Sequence, residues 1–308
     1  MFMIRVVSYG LEKGLLMNNT AVLLLSFGTP RTPEDLVSYM TSIRGGRIPT
    51  ERDVAVLRQR YDAIHQWDSL TLQTMVEHQK FVLQDLLNIP VYAAYLHISN
   101  SMETVLKIIS EQGYTHIIGI VTSPFYSTAG TGAYERKLDS LLANYPKITV
   151  EYIKEWWEQP SFLSYWCDAI APYIGEGDGL FVYSAHSVPE HRMGNYKNSI
   201  IEAAHRISGK AGIGNWKLAF QSAPPRDGWL GPSVESMINE SLREGTKRII
   251  FVPFGFVSDH VEVLYDNDVE CRKLVEAGGA VYNRAPMPNG NLIFMQAMAS
   301  AITERLEM

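Results

Sequence analysis

The chain has 308 residues, of which 46% are apolar and 19% charged, an ordinary globular composition that predicts two domains of about 150 residues each. A net charge of −6 argues against nucleic acid as the partner, and no apolar run approaches the ~20 residues that a membrane helix needs. Two cysteines, Cys167 and Cys271, are too few for a disulfide scaffold or a four-thiolate cluster and suit a reducing cytosol.

The first residues, MFMIRVVSYGLEKGLLMNN, carry charge in the middle and no small-residue cleavage site, so they do not read as a signal peptide. They are either a tail or lie upstream of a start at Met17. From Ala21, AVLLLSFGTP predicts a strand and a tight turn, followed by a helix with Thr32 as N-cap and Pro33 at its first position, ending near Arg44. Arg44 to Thr71 holds five arginines in 28 residues. A helix over Gln73 to Leu87 follows, then a strand over Val91 to His97, a helix over Met102 to Gln112, and a strand starting at His116 that leads into TSPFYS. The turn AGTGAYERK opens a further helix, and Ile148 to Ile153 is the next strand.

The second half repeats the plan. Helix Gln159 to Tyr173 precedes strand GLFVYSA, helix Tyr196 to Lys210, strand WKLAFQS, helix Ser233 to Glu244, strand RIIFVPFGF, a helix from Ser258 or Asp259, and strand GAVYNR. This alternation predicts an α/β fold of two Rossmann-like halves, each a parallel four-stranded sheet flanked by helices, around a cleft. Two short matches support the repeat. SFGTP and AHSVP occupy equivalent turns, with His186 159 positions after Phe27, and TSPFYS matches FVPFGF, with Pro253 129 positions after Pro124. The difference, 30 residues, sizes an insertion in the first half, and the arginine-rich stretch 44–71 fits it. The expected division is 17–158 for the first half and 159–290 for the second, with a C-terminal helix over 291–308.

Two stretches carry the candidate chemistry. Glu262, Asp266 and Glu270 lie four residues apart on the predicted acidic helix, with His260 at its head, so their carboxylates form one row. Such a row with no interleaved Lys or Arg is costly unless cations visit it. It reads either as an exposed acidic face or as a cation site. His186 falls at the carboxyl end of GLFVYSA, where open α/β sheets place ligands, and imidazole with carboxylates suits a divalent metal and proton transfer near neutral pH. With the basic insertion over the same cleft, this suggests a substrate with carboxylates at its rim and a metal delivered at its centre. The arginines read equally as a solvated loop paired with Glu51, Asp53 and Asp62.

SAHSVPE, QSAPPRDGWLGP and VPFGFVSDHVEVLYDNDVEC together resemble the ferrochelatases, particularly the coproporphyrin ferrochelatases of Gram-positive bacteria, and the likeness runs from about Ala21 to the C-terminus through LLLSFGTP, RYDAI and RAPMPN. The resemblance implies insertion of Fe(II), as substrate, into coproporphyrin III in haem synthesis. It also implies a C-terminal helix from Asn291 to Leu306 that crosses back to the first half. By the family pattern His186 and Glu262 form the catalytic pair and bind the metal. Asp266 and Glu270 match positions that guide it or hold an accessory cation such as Mg(II), and Phe27, Arg44, Arg60, Ser69 and Tyr134 match porphyrin-side positions. The implied protein is a cytoplasmic monomer without an iron–sulfur cluster, partnered by its porphyrin and by downstream haem-pathway enzymes. Departures lie on the porphyrin side: Phe27 stands where relatives usually have Tyr, HQWDSLT replaces GGxSPL so that Trp67 is new, SPFYS replaces PHFS, and Ala223 replaces an acidic residue. A cobalt or nickel chelatase acting on another tetrapyrrole and a non-catalytic tetrapyrrole carrier are the competing readings.

Overall fold

The computed structural model describes residues 19–175, 179–224 and 226–307. The reading of the N-terminus around Met17 therefore lies outside the described residues. Among the described residues eight strands form two four-stranded sheets, ordered β2-β1-β3-β4 and β6-β5-β7-β8, with every neighbouring pair parallel. The first sheet contains β1 (Thr20–Ser26), β2 (Val91–Tyr95), β3 (His116–Val121) and β4 (Thr149–Ile153). The second contains β5 (Leu180–His186), β6 (Trp216–Gln221), β7 (Arg248–Val252) and β8 (Val281–Arg284). The identical order bears out the repeat inferred from the two short matches. β1 is buried along its whole length, which is why TAVLLLS reads as an apolar run: helices cover both faces of a parallel sheet.

The first half has more chain between its first two strands, and the extra chain is helical. α1 (Leu36–Ile43) is entered through a short 3₁₀ turn, Pro33–Asp35, where the Asp35 carboxylate accepts from the Thr32 N–H at 3.1 Å. α2 (Glu51–Ala63) and the one-turn α3 (Gln66–Ser69) occupy the predicted insertion, and α4 (Thr71–Leu87) returns to the sheet. Thr50 and Asp53 close a reciprocal capping box at the start of α2, with bonds of 3.2 and 3.1 Å. The buried Gln66 and Gln73 side chains tie α3 and α4 to the turn after β1, bonding Thr29 Oγ1 at 3.1 and 2.6 Å. Trp67 packs on Tyr61, ring centroids 5.5 Å apart, so this departure from the family pattern braces the insertion from within.

One hydrophobic core runs through both sheets, joining Val22, Leu24 and Phe125 to Tyr183, Phe254 and Phe294. α7 (Pro160–Ile170) and the C-terminal α11 (Leu292–Leu306) are central to it, and α11 packs on α7, α4 and β3. The last helix thus reaches the first half as the resemblance implied. The remaining helices are α5 (Ser101–Glu111), α6 (Gly132–Leu142), α8 (Tyr196–Ala211), α9 (Val234–Arg243) and α10 (Arg272–Ala277).

The acidic helix departs from expectation. Glu262–Cys271 is a π-helix, and only from Arg272 does it continue as α10. Ser258 and Asp259 do not cap it. Ser258 accepts from Gln79 of α4 at 2.9 Å, and Asp259 exchanges 2.8 Å hydrogen bonds with Asn289. The cap comes instead from the His260 ring, whose Nδ1 accepts the Glu262 N–H at 3.1 Å. π-Turns are uncommon and gather at functional sites, because the wider turn costs packing that must be compensated elsewhere. Here Asp268 compensates by taking the guanidinium of Arg284 through two 2.8 Å bonds, and the Tyr282 hydroxyl at 2.9 Å.

Candidate active site

The carboxyl ends of β5 and β7 meet through one glycine. Gly255 donates to Ser184 O at 3.1 Å, and a Cβ placed there would lie 2.5 Å from the Ala185 Cβ. Only a residue without a side chain lets the chain leaving β7 cross so close to β5. The crossing brings Glu262 to His186, with Oε1 3.4 Å from Nε2. His186 is fixed from behind: its Nδ1 donates to the Ser187 carbonyl at 2.6 Å, and its own carbonyl accepts from the Tyr196 hydroxyl at 3.0 Å. Because a carbonyl can only accept, Nδ1 carries the proton and Nε2 is the reactive nitrogen.

The pair is electrostatically matched. Burial disfavours charge on both groups, but each overcomes it in the other: Glu262 and the Ser187 carbonyl raise the His186 imidazolium above the ordinary range, and His186 with His260 and Arg60 lowers the Glu262 carboxyl. His260 moves the opposite way, because its burial outweighs the nearby carboxylates and keeps it neutral. The His186 side chain remains 42% exposed, so it stays open to a ligand.

His186 and Glu262 open on a cleft of about 570 Å³ that both halves line. The first half contributes Phe27, Tyr39, His97 and Tyr134, and the second Tyr196, Trp229 and His260. Phe27 and Tyr134 both line this cleft. Ser69 does not line it. Its hydroxyl bonds the His65 carbonyl at 3.1 Å and the Thr71 hydroxyl at 2.7 Å.

Arg44, Arg60, Asp266 and Glu270 lie outside the lining of the cleft and are paired with one another or with neighbours. The acidic row has a resident cation, since Arg60 of the insertion reaches across the halves to Asp266 at 3.1 Å and Glu270 at 3.5 Å and lies over the Tyr265 ring at 5.2 Å. Arg44 is likewise engaged, with Asp53 at 2.9 Å. The exposed-pair reading thus describes Arg44, while Arg60 is a bridge between halves. Asp266 is held up to about 7 by burial first and the Glu262 and Glu270 charges next, with Arg60 opposing. Among the described residues no group of three or more His, Cys, Asp or Glu side chains is arranged to hold a metal ion. His186, Glu262, Asp266 and Glu270 therefore form a pair at the cleft and a second pair behind Arg60, and they do not make one closed ligand cage.

His97, Tyr39, Tyr196 and Trp229 were not singled out from the sequence. For His97 a signal existed: it ends the predicted strand VYAAYLH, the same position that marked His186.

The ferrochelatase family model matches residues 19–306. A coproporphyrin III ferrochelatase of Anoxybacillus flavithermus is 34% identical over 303 residues, covering 92% of this chain and 96% of that protein. Those of Geobacillus kaustophilus and Bacillus subtilis are 32% and 31% identical, covering 94% and 92% of this chain and 97% of each relative. Among solved structures, SirB from Bacillus subtilis with Fe3+ shares the fold at a TM-score of 0.60 and 13% identity, covering 93% of this chain and 95% of that one. CbiX, the terminal enzyme of sirohaem biosynthesis in denitrifying bacteria, does so at 0.54 and 15%, covering 92% and 98%. With a family match across both halves and identities above 30% over more than nine tenths of its length, this chain belongs to the ferrochelatase family.

Proposed function

We propose that this chain inserts Fe(II) into coproporphyrin III in haem synthesis, with His186 and Glu262 as the reacting pair. The observation that carries the reading is the 3.4 Å contact between His186 Nε2 and Glu262 Oε1 at the wall of a cleft whose other lining includes the rings of Phe27, Tyr39, Tyr134, Tyr196 and Trp229 together with Ser and Thr hydroxyls. A flat macrocycle fits a cleft with such walls, and at the second-half wall His186 and Glu262, with His260 beside them, are groups able to take a metal or a proton. Before metal enters, His186 is an imidazolium paired with a carboxylate. Releasing that proton exposes the Nε2 lone pair and leaves the Glu262 carboxylate unpaired, so the pair can coordinate Fe(II) transiently or accept the two pyrrole protons. One imidazole and one carboxylate hold ferrous iron through few bonds, so the four ring nitrogens can take it over.

Arg44 and Arg60 supply positive charge at the rim. Each guanidinium carries five N–H donors, and the carboxylates they already hold leave some for a propionate. Asp266 and Glu270 serve as an outer station for the incoming cation, entered when Arg60 swings aside. A second resident cation such as Mg(II) would need the same movement. In this reading residues 159–290 carry the metal chemistry, and the first half, with α11 packed against it, carries the porphyrin side.

Anaerobic turnover with Fe(II) and, in parallel, coproporphyrin III, protoporphyrin IX and sirohydrochlorin tests the reading. Iron coproporphyrin as the fastest-formed product is expected. Metallation of sirohydrochlorin alone, or tight tetrapyrrole binding with no metallation, would overturn it in favour of another chelatase or a carrier.

A further inference from the structure

The first-half wall of the cleft carries a histidine, His97, that the proposed insertion chemistry does not use. His97 follows β2 and is held beside Phe27 by an extension of the β1–β2 pairing, its N–H donating to the Phe27 carbonyl at 3.0 Å. Its ring stands edge-on to Phe27 and Tyr39, centroids 4.4 and 6.5 Å away. Its Nδ1 bonds the Ser42 hydroxyl of α1 at 2.9 Å. Nε2 has no protein partner among the described residues, it is not sealed from solvent, and the residue lines the cleft.

We infer that His97 is an axial ligand for iron once the metal is in the macrocycle, binding through Nε2 from the first-half wall while His186 and Glu262 face the other side. The inference rests on the reading of the cleft as an iron–porphyrin site. With Nδ1–H donating a hydrogen bond to the Ser42 hydroxyl, Nε2 keeps its lone pair, so the bond to iron forms by electron-pair donation with no proton released. A second-sphere hydroxyl of this kind also fixes the ring plane and the tautomer. Burial pulls the His97 imidazolium down to about 4, so protons do not compete for the lone pair at neutral pH. Four ring nitrogens already satisfy the iron equatorially, so one protein ligand is enough, and the lack of a three-residue metal cluster among the described residues is no obstacle. Phe27, the neighbouring side chain on this wall, has no donor atom. His97 would thus favour the metallated product over the metal-free substrate and help draw the reaction forward.

The test uses the whole protein with iron coproporphyrin and with metal-free coproporphyrin. In the ferrous complex, resonance Raman spectroscopy should show an iron–histidine stretching band that moves on isotopic labelling of histidine nitrogen. His97→Phe, which keeps a ring against Phe27, should lose the band and weaken the iron complex at least about tenfold, a typical scale for a damaged metal site. Its affinity for metal-free coproporphyrin should fall much less. In His97→Gly, added imidazole should restore the band, which separates loss of the ligand from loss of the fold. A wild-type protein that metallates coproporphyrin and binds the product without such a band overturns the inference alone. So does a band that survives His97→Phe and disappears in His186→Ala. A wild-type protein that neither binds nor metallates coproporphyrin overturns the underlying reading as well.

Discussion

Two histidines face the same cleft from equivalent ends of two sheets of the same strand order, and their environments drive them to opposite charge states. His97, after β2, meets rings and one hydroxyl, so burial dominates and the imidazole stays neutral. His186, at the end of β5, meets a carboxylate at 3.4 Å and a carbonyl at 2.6 Å, and those outweigh its burial. A repeated scaffold thus supplies two similar walls, and a few side chains beyond the strand ends decide that one is a neutral aromatic surface and the other an ion pair. The divergence starts one residue past β1, where Phe27 stands, and after β7, where Gly255 lets the chain cross to Glu262.

The largest effect should come from His186→Ala, which removes the charged wall's reactive nitrogen. Metal insertion should fall by about 10²–10⁴-fold, the range for a positioned acid or base, while coproporphyrin binding, followed by fluorescence quenching, should hardly change. Wild-type-like turnover would make the two walls equivalent and remove the assignment.

Glu262→Gln should also impair insertion severely, by about 10²-fold, and it should move His186 toward the condition of His97. In the native protein His186 sits at about 9, because burial, which lowers it, is outweighed by the Glu262 charge. Without that charge burial remains, so the midpoint must shift to lower pH. Imidazole chemical shifts followed across the pH range would report this directly, and an unmoved or raised midpoint would contradict the ion-pair account. For the same reason the acid limb of kcat/KM in the native protein should rise with pH as His186 loses its proton.

At the rim the expected changes are smaller. Arg60→Ala should weaken coproporphyrin binding by up to about tenfold, with the loss shrinking at high salt, since the side chain is 34% exposed and already shared with Asp266 and Glu270. Glu270→Gln should raise the Fe(II) concentration needed for half-maximal rate and leave the maximal rate near native, in contrast to Glu262→Gln. Equal losses of maximal rate in the two glutamate variants would erase the distinction between cleft and rim.

The smallest effect belongs to Phe27→Tyr. The ring is 39% exposed at the neutral wall, so a hydroxyl can be added without burying it, and activity should be preserved or raised. A large loss would mean that this wall excludes polar groups.

Local pattern carried much of this architecture. The runs AVLLLS, HIIGIV, LFVYSA and RIIFV are apolar because parallel strands are covered on both faces, and that burial acts on each segment where it stands. The repeat, the size of the insertion and the location of His186 at a strand end followed from those segments and their spacing. The π-turns of Glu262–Cys271 did not, because the carboxylate spacing fits an α-helix equally well, and the Asp268–Arg284 contact that accompanies the wider form joins it to the end of β8. Nor did the partner of the acidic row: Arg60 and Asp266 are 206 positions apart, and their contact exists only because the insertion folds as a helix against the opposite half. His97 shows the same limit. Its strand-end position was legible, but its neutrality and its open Nε2 depend on Phe27, Tyr39 and Ser42, which converge on it from other elements. Short-range burial is written into each segment, whereas charge state and pairing are set by groups brought close only when the two halves close around one cleft.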